Sequence, residues 1–280
     1  MPHSIPLSHT KPVRQCVVTR KGGPFQIITT DYPQPGPDEI CIRNRAVGLS
    51  PVDLFALDNG MTIRKYPEVL GTDVAGVIEV VGSQVTAFKA GDAVMAVCPR
   101  GGGKYAAFQD ITTIPAELAC RKPASWSFAE AASVPTAYLT AYGVLSNALS
   151  LPLPHLLSRP HLQTPNTDPS SEYLTALRPP SPPARLPQSP TPTPELSSVL
   201  VMGGSTPLGA AAIQLLRLSL PPGTPIISTN PAAHDARVTG VLGATACVDG
   251  ADMAYEEVVA AGRTLRRRGI QWGRPAFLGR

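Results

Sequence analysis

The chain has 280 residues, enough for two domains, and its 43% apolar and 16% charged residues fit a soluble globular protein. Its net charge of +4 suggests a nucleic-acid footprint at first sight, but six arginines and no acids fall within 262–280, so the remainder is slightly acidic and has no basic field. No apolar run approaches the roughly 18 residues of a spanning helix, and the start MPHSIPLSHT lacks an apolar core behind a basic end; we therefore expect a cytoplasmic chain without membrane or nucleic-acid partners.

In chain order, residues 13–30 (VRQCVVTRKGGPFQIITT) alternate apolar and polar around Lys21-Gly22-Gly23-Pro24, the pattern of a hairpin. After PQPGPDE the stretch ICIRNRAVGL reads as a strand and SPVD as a turn. VAGVIEVVGSQVTAFKAGDAVMAV reads as two short strands separated by Gly82-Ser83 and closed by Gly91-Asp92. GGGKYAAFQDITTIP reads as one more strand pair. Many short strands at this spacing point to a small barrel.

SFAEAASVPTAYLTAYGVLSNAL is rich in Ala and Leu and predicts helix, with Ser127 and Glu130 forming a capping box at its start. From Pro152 to Pro194 lie 13 of the chain's 32 prolines with many Ser and Thr, a composition that predicts a disordered insertion unable to pack a core. Beyond it the pattern is βαβαβ: strands at 199–202, 226–229 and 245–248, helices at about 207–219, 232–242 and 252–262, the first half of a doubly wound sheet. The arginine-rich segment TLRRRGIQWGRPAFLGR continues neither pattern. The expected division is thus 1–146, a β-rich domain with its connecting helix; 147–197, the proline-rich insertion; 198–262, the βαβαβ half; and 263–280, an atypical tail.

The chemistry concentrates at VLVMGGSTPLGAAAIQLLRL. Gly203 and Gly204 let the backbone come close to a pyrophosphate, Ser205 and Thr206 add hydroxyls, and Gly209 permits tight packing at a helix start suited to anions. The same turn also serves helix packing alone in other chains. The helix is expected to be apolar at Leu208, Ala211, Ala212, Leu215 and Leu216. The acid that holds the ribose hydroxyls of NAD after the second strand is missing; Ser228, Thr229 and Asn230 stand there, with Arg237 beyond. These donors suit a 2′-phosphate and lead to NADPH as the expected cofactor.

The ordered motifs AVGLSPVDL, VLGTDVAGVIEVVGSQVTAFKAGDAV, GGGKYAAFQ, EAASVPTAYLTAYGVL and the glycine turn resemble the medium-chain dehydrogenase/reductase superfamily, and more narrowly the trans-acting enoyl reductases of fungal polyketide synthases. The resemblance implies an α/β fold with a β-rich domain: an N-terminal GroES-like barrel followed by a partial Rossmann domain. Zinc members of that superfamily carry Cys and His where this chain has Ser50 and Thr72. With scattered cysteines and no histidine between His9 and His155, we expect no metal.

By resemblance, Pro51, Val52 and Asp53 line the nicotinamide side and Thr140 contacts the cofactor. Tyr105, Tyr138 and Tyr142 are candidate acids, and the catalytic proton donor stays unassigned. Phe55 and Gly250 occupy places where related reductases carry Lys and Tyr. The implied reaction is hydride transfer from NADPH to an α,β-unsaturated thioester on a carrier domain, with a polyketide synthase as partner. The alternatives are a free-standing quinone or enone reductase, or a C-terminally truncated reductase-like protein without turnover, since the second half of the Rossmann sheet is not found after residue 262.

Overall fold

The computed structural model describes residues 12–61, 63–99, 103–148, 151, 153, 196 and 198–249. The expected helix at 252–262, the arginine-rich tail and most of the proline-rich insertion lie outside the described residues. The chain divides into two compact units that part between Thr136 and Ala137.

The first unit begins with the expected hairpin, β1 (Val13–Val18) against β2 (Phe25–Thr30), in register from Val13 opposite Thr30 to Val18 opposite Phe25. The two-residue strand β4 (Glu68–Val69) pairs on the other side of β1. The second sheet runs β7-β3-β5-β6-β8, all antiparallel, from β3 (Glu39–Gly48), β5 (Asp73–Val81), β6 (Ala93–Val97), β7 (Ile111–Pro115) and β8 (Ala119–Arg121). β3 lies between β5 and β7, and its Ile40, Cys41 and Ile42 are wholly buried. Ile40 and Ile42 pack with Val74, Ile78, Val94 and Ile114, whereas Cys41 turns to Val13, Tyr32 and Ile111, as alternation along a strand requires.

The two sheets are stitched together before β7. The Cys16 amide donates to the Phe108 carbonyl at 2.8 Å and the Asp110 amide to the Arg14 carbonyl at 2.9 Å. The result is the barrel-like β-rich domain expected from the strand spacing.

Three local readings differ. SPVD is the start of a helix, α1 (Pro51–Asn59), because Ser50 and Asp53 form a reciprocal capping box and Pro51 suits the first helical position. Residues 85–90 form a loop, and the second strand of that stretch begins only at Ala93, after the Gly91 turn. In GGGKYAAFQDITTIP only β7 is an extended strand; Gly103–Tyr105 is a short 3-10 turn. The side-chain amide of Gln109 holds that turn by donating to the carbonyls of Gly103 and Lys104, both at 3.1 Å.

The expected helical region is broken into α2 (Phe128–Ala132), α3 (Pro135–Gly143) and a π-turn over Val144–Ala148. Pro135 separates the first two, since it disfavours helix in the residue before it. The capping box at Ser127 and Glu130 forms as the sequence predicts.

The second unit holds β9 (Val199–Met202), α4 (Pro207–Ser219), β10 (Ile226–Thr229), a 3-10 turn at Ala232–His234, α5 (Asp235–Gly240) and β11 (Ala246–Val248). The strands form one parallel sheet in the order β11-β10-β9, which is the first half of a doubly wound sheet. Its core joins Ile213, Leu215 and Leu216 of α4 to Ile226, Val238 and Leu242.

Two expectations about that core change. Leu208 is 44% exposed, and the inward face of α4 is Gly209, Ala210, Ile213, Leu215 and Leu216; the helix is rotated so that its tight-packing glycine meets the turn. Leu153, inside the interval expected to pack no core, is fully buried with Leu151.

Candidate functional site

Chemistry-bearing residues gather at two places, one in each unit. In the first unit, α1 and the start of β5 bring together two buried carboxylates. Asp53 accepts the Ser50 amide at 2.9 Å, and Asp73 accepts the Thr136 amide at 2.7 Å and the Thr72 hydroxyl at 3.0 Å. Burial pushes both carboxyls above the ordinary aspartate value, and the charge of Asp73 adds to the rise at Asp53. Cys98 is fully buried, and its thiol is pushed well up by burial and by these two acids, so it is held neutral and inert.

Ser50 and Thr72 therefore have structural work: one caps α1 and the other braces Asp73. Among the described residues no group of three or more His, Cys, Asp or Glu is placed to hold a metal ion. Of the three residues expected on the nicotinamide side, Pro51 is exposed and Val52 half-buried, while Asp53 is buried and spent on its cap.

The tyrosines are likewise engaged. Tyr105 donates to Glu39 at 2.7 Å, beside Lys104, which donates to the other oxygen of Glu39 at 2.7 Å. Tyr138 and Tyr142 stack with ring centres 6.3 Å apart and pack on the core of the second unit. Thr140, on α3, is exposed.

The second place is the glycine turn after β9. Gly203 adopts φ +73°, a left-handed conformation that suits glycine. A Cβ on Gly204 would lie 2.0 Å from the Ser228 hydroxyl, and one on Gly209 would lie 2.2 Å from the Gly203 carbonyl. Any side chain at either position would push α4 off the sheet. Thr206 caps α4 by accepting the Gly209 amide at 3.1 Å and donating to the Gly203 carbonyl at 2.7 Å. Ser205 makes no hydrogen bond among the described residues, which leaves its amide and hydroxyl at a 13-residue helix start, beside a backbone without side chains. That arrangement fits a phosphate or pyrophosphate, which needs open donors and the positive end of a helix.

The structure brings Gly203, Gly204, Ser205, Thr206, Gly209, Ser228, Thr229 and Asn230 together, but not in the expected roles. Ser228, Thr229 and Asn230 are buried, at 0%, 7% and 3% exposure. Thr229 accepts the Gly203 amide at 3.0 Å, Ser228 donates to the Asn230 side chain at 2.7 Å, and Asn230 donates to Asp235 at 2.7 Å. The three side chains build the turn and its support rather than standing free for a ligand. Asp235, which anchors Asn230, is not legible at the strand end because it belongs to the next helix. Sequence reasoning also missed Arg217, which donates to the Thr224 carbonyl at 2.8 Å, to the Thr245 hydroxyl at 2.6 Å and to the Gly243 carbonyl, joining the two loops at the far end of the sheet.

Comparison with known proteins agrees with this layout. Residues 36–142 match the alcohol dehydrogenase GroES-like domain. The chain is 31% identical over 204 residues to dehydrogenase pigH of Monascus ruber, an alignment covering 70% of this chain and 47% of that protein. It is 37% identical over 131 residues to trans-enoyl reductase tndF of Aspergillus flavipes, covering 45% of this chain and 38% of that protein. The chain thus spans less than half the length of either relative. Among solved structures, the quinone oxidoreductase of Escherichia coli in complex with NADPH shares the fold at TM-score 0.61 and 20% identity, over 91% of this chain and 63% of that one.

Proposed function

We propose that this chain, which belongs to the medium-chain dehydrogenase/reductase superfamily, binds a nicotinamide dinucleotide through its second unit and serves the reduction of a carbon–carbon double bond conjugated to a carbonyl. The observation that carries the reading is the glycine turn, where Gly203, Gly204 and the capped start of α4 leave the Ser205 donors open to a pyrophosphate. The bound cofactor supplies the hydride. The chain's own residues hold its phosphates and set its orientation.

An acyl thioester on the carrier domain of a polyketide synthase is the substrate class we favour, in keeping with the fungal trans-enoyl reductase among the relatives. A small quinone or enone is the second reading, favoured by the quinone oxidoreductase among the structural neighbours. NADPH is the form expected from the sequence and the one bound in that neighbour. Ser228, Thr229 and Asn230, on which the sequence expectation rested, are buried and bonded within the unit. Zinc has no part in the reaction we propose, because the two side chains at the places of its ligands cap a helix and brace a carboxylate.

The test is consumption of reduced cofactor by the purified chain in the presence of an enoyl thioester or a quinone, with and without the synthase carrier domain. Turnover with the thioester that rises with the carrier supports the first reading. Turnover on quinone alone supports the second, and failure to bind any dinucleotide removes both.

A further inference from the structure

Strand β2 (Phe25–Thr30) is the outermost strand of its sheet, which runs β2-β1-β4, and it is open on both faces: Phe25, Ile27 and Ile28 are 43%, 66% and 36% exposed. Strand edges of this kind are ordinarily blunted by a charge, a proline or a bulge. FQIITT contains no charge and no proline, and its register with β1 runs without a bulge from Phe25 to Thr30.

The hydrogen bonds around β1 show which groups the outer edge carries. The Pro24 carbonyl accepts the Thr19 amide at 3.3 Å, and the Cys16 amide, opposite Ile27, turns away from β2 to the Phe108 carbonyl at 2.8 Å. Alternation along an antiparallel pair then directs the backbone groups of Gln26, Ile28 and Thr30 to β1 and those of Phe25, Ile27 and Thr29 outward. No strand among the described residues covers that outward row of N–H and C=O groups.

Such an edge fits a second copy of itself. An antiparallel pair related by a two-fold axis normal to the sheet keeps opposed residues on one face, and the register centred on Ile27 opposes all three outward residues to one another: Ile27 to Ile27, and Phe25 to Thr29 on either side. The apolar side chains of Phe25 and Ile27 then meet at the centre. The same register brings Lys21, exposed in the hairpin turn of each copy, diagonally beside the exposed Asp31 of the other. Two contacts of opposite charge therefore flank the apolar centre, a match that an arbitrary extended peptide does not supply.

We infer that β2 is a homodimer interface, at which two copies of this chain join edge to edge by antiparallel pairing of Phe25–Thr30 about Ile27 and merge their two three-stranded sheets into one. The contact is isologous, so it uses up the open edge and closes rather than propagating.

The test is sedimentation velocity of the full chain from about 1 μM to 1 mM, a range suited to the weak affinity of a contact of six strand residues a side. A reversible monomer–dimer equilibrium is expected. Ile27→Lys sets two cations against each other on the axis and weakens dimerisation at least about tenfold. Lys21→Glu and Asp31→Lys each weaken it about threefold or more, and the double variant, which restores both attractive contacts with the signs exchanged, returns to within about twofold of the parent. Thermal melting checks that each variant is folded. A chain that stays monomeric over the whole range overturns the inference. A dimer that survives Ile27→Lys overturns it too, because the contact then lies elsewhere, as does a double variant that dimerises no more tightly than the two single ones.

Discussion

A Cβ on Gly204 would sit 2.0 Å from the Ser228 hydroxyl and 2.8 Å from the end of Ile213, so the glycine turn and β10 touch backbone to side chain. Gly204→Ala is expected to destabilise the second unit by about 1–3 kcal/mol, the usual cost of overpacking. Adding Ser228→Ala recovers part of the loss because it removes the closest atom. Urea unfolding of the single and double variants checks this; a Gly204→Ala variant as stable as the parent contradicts the packing described.

Arg217→Ala is expected to cost about 2 kcal/mol, because three carbonyl or hydroxyl acceptors in the loops after α4 and α5 lose their shared cation. Hydrogen exchange reads the effect locally. The amides of Ile226 and Thr245, which bond across these loops, should exchange faster in the variant while those of the first unit keep their rates.

Much of this was legible in the sequence, and the misses have a common physical form. The hairpin, the capping box at Ser127 and the βαβαβ order follow from periodicity and from residues that act on their immediate neighbours. SPVD was misread because its four residues suit a turn or a helix start equally, and only the following helix decides. The surroundings of Ser228, Thr229 and Asn230 are not legible because burial is a property of the packed unit: groups that look free in sequence are bonded there to the Gly203 amide, to one another and to Asp235. Asp235 and Arg217 act through partners from 5 to 28 residues away, and no local pattern announces such pairs.

Asp73 makes stability depend on pH in an unusual direction. Burial raises its carboxyl above the ordinary 3.8 in spite of the Thr136 and Thr72 hydrogen bonds, so between 3.8 and the raised value the folded state holds more protons than the unfolded one. Stability from this group is then highest at low pH and falls as pH rises through that window. Asp73→Asn removes the ionisation while keeping an acceptor for the Thr136 amide. The difference in Tm between variant and parent should shift in favour of the variant as pH rises above about 4, as linkage requires; a difference that does not change with pH contradicts the assignment.

Glu39 behaves in the opposite way. Burial alone would raise its carboxyl, but the Lys104 ammonium, the Gly36 amide and the Tyr105 hydroxyl outweigh it and hold the group below the ordinary value. Its stabilisation is present above pH 4.5, the ordinary value, and is lost as pH falls further. Glu39→Gln should cost about 1–2 kcal/mol at neutral pH, discounted because Lys104 is partly exposed. It should also speed trypsin cleavage after Lys104, and an unchanged digestion pattern would show that the Glu39 contacts do not restrain the 103–105 turn.

The central claim is that the glycine turn of the second unit binds a nicotinamide dinucleotide, and amide-resolved NMR titration with NADPH and with NADH tests it most directly. The account predicts saturable shifts with at least one of them at Gly203, Gly204, Ser205, Thr206 and Gly209. An absence of shifts, or shifts confined to the first unit, would contradict it.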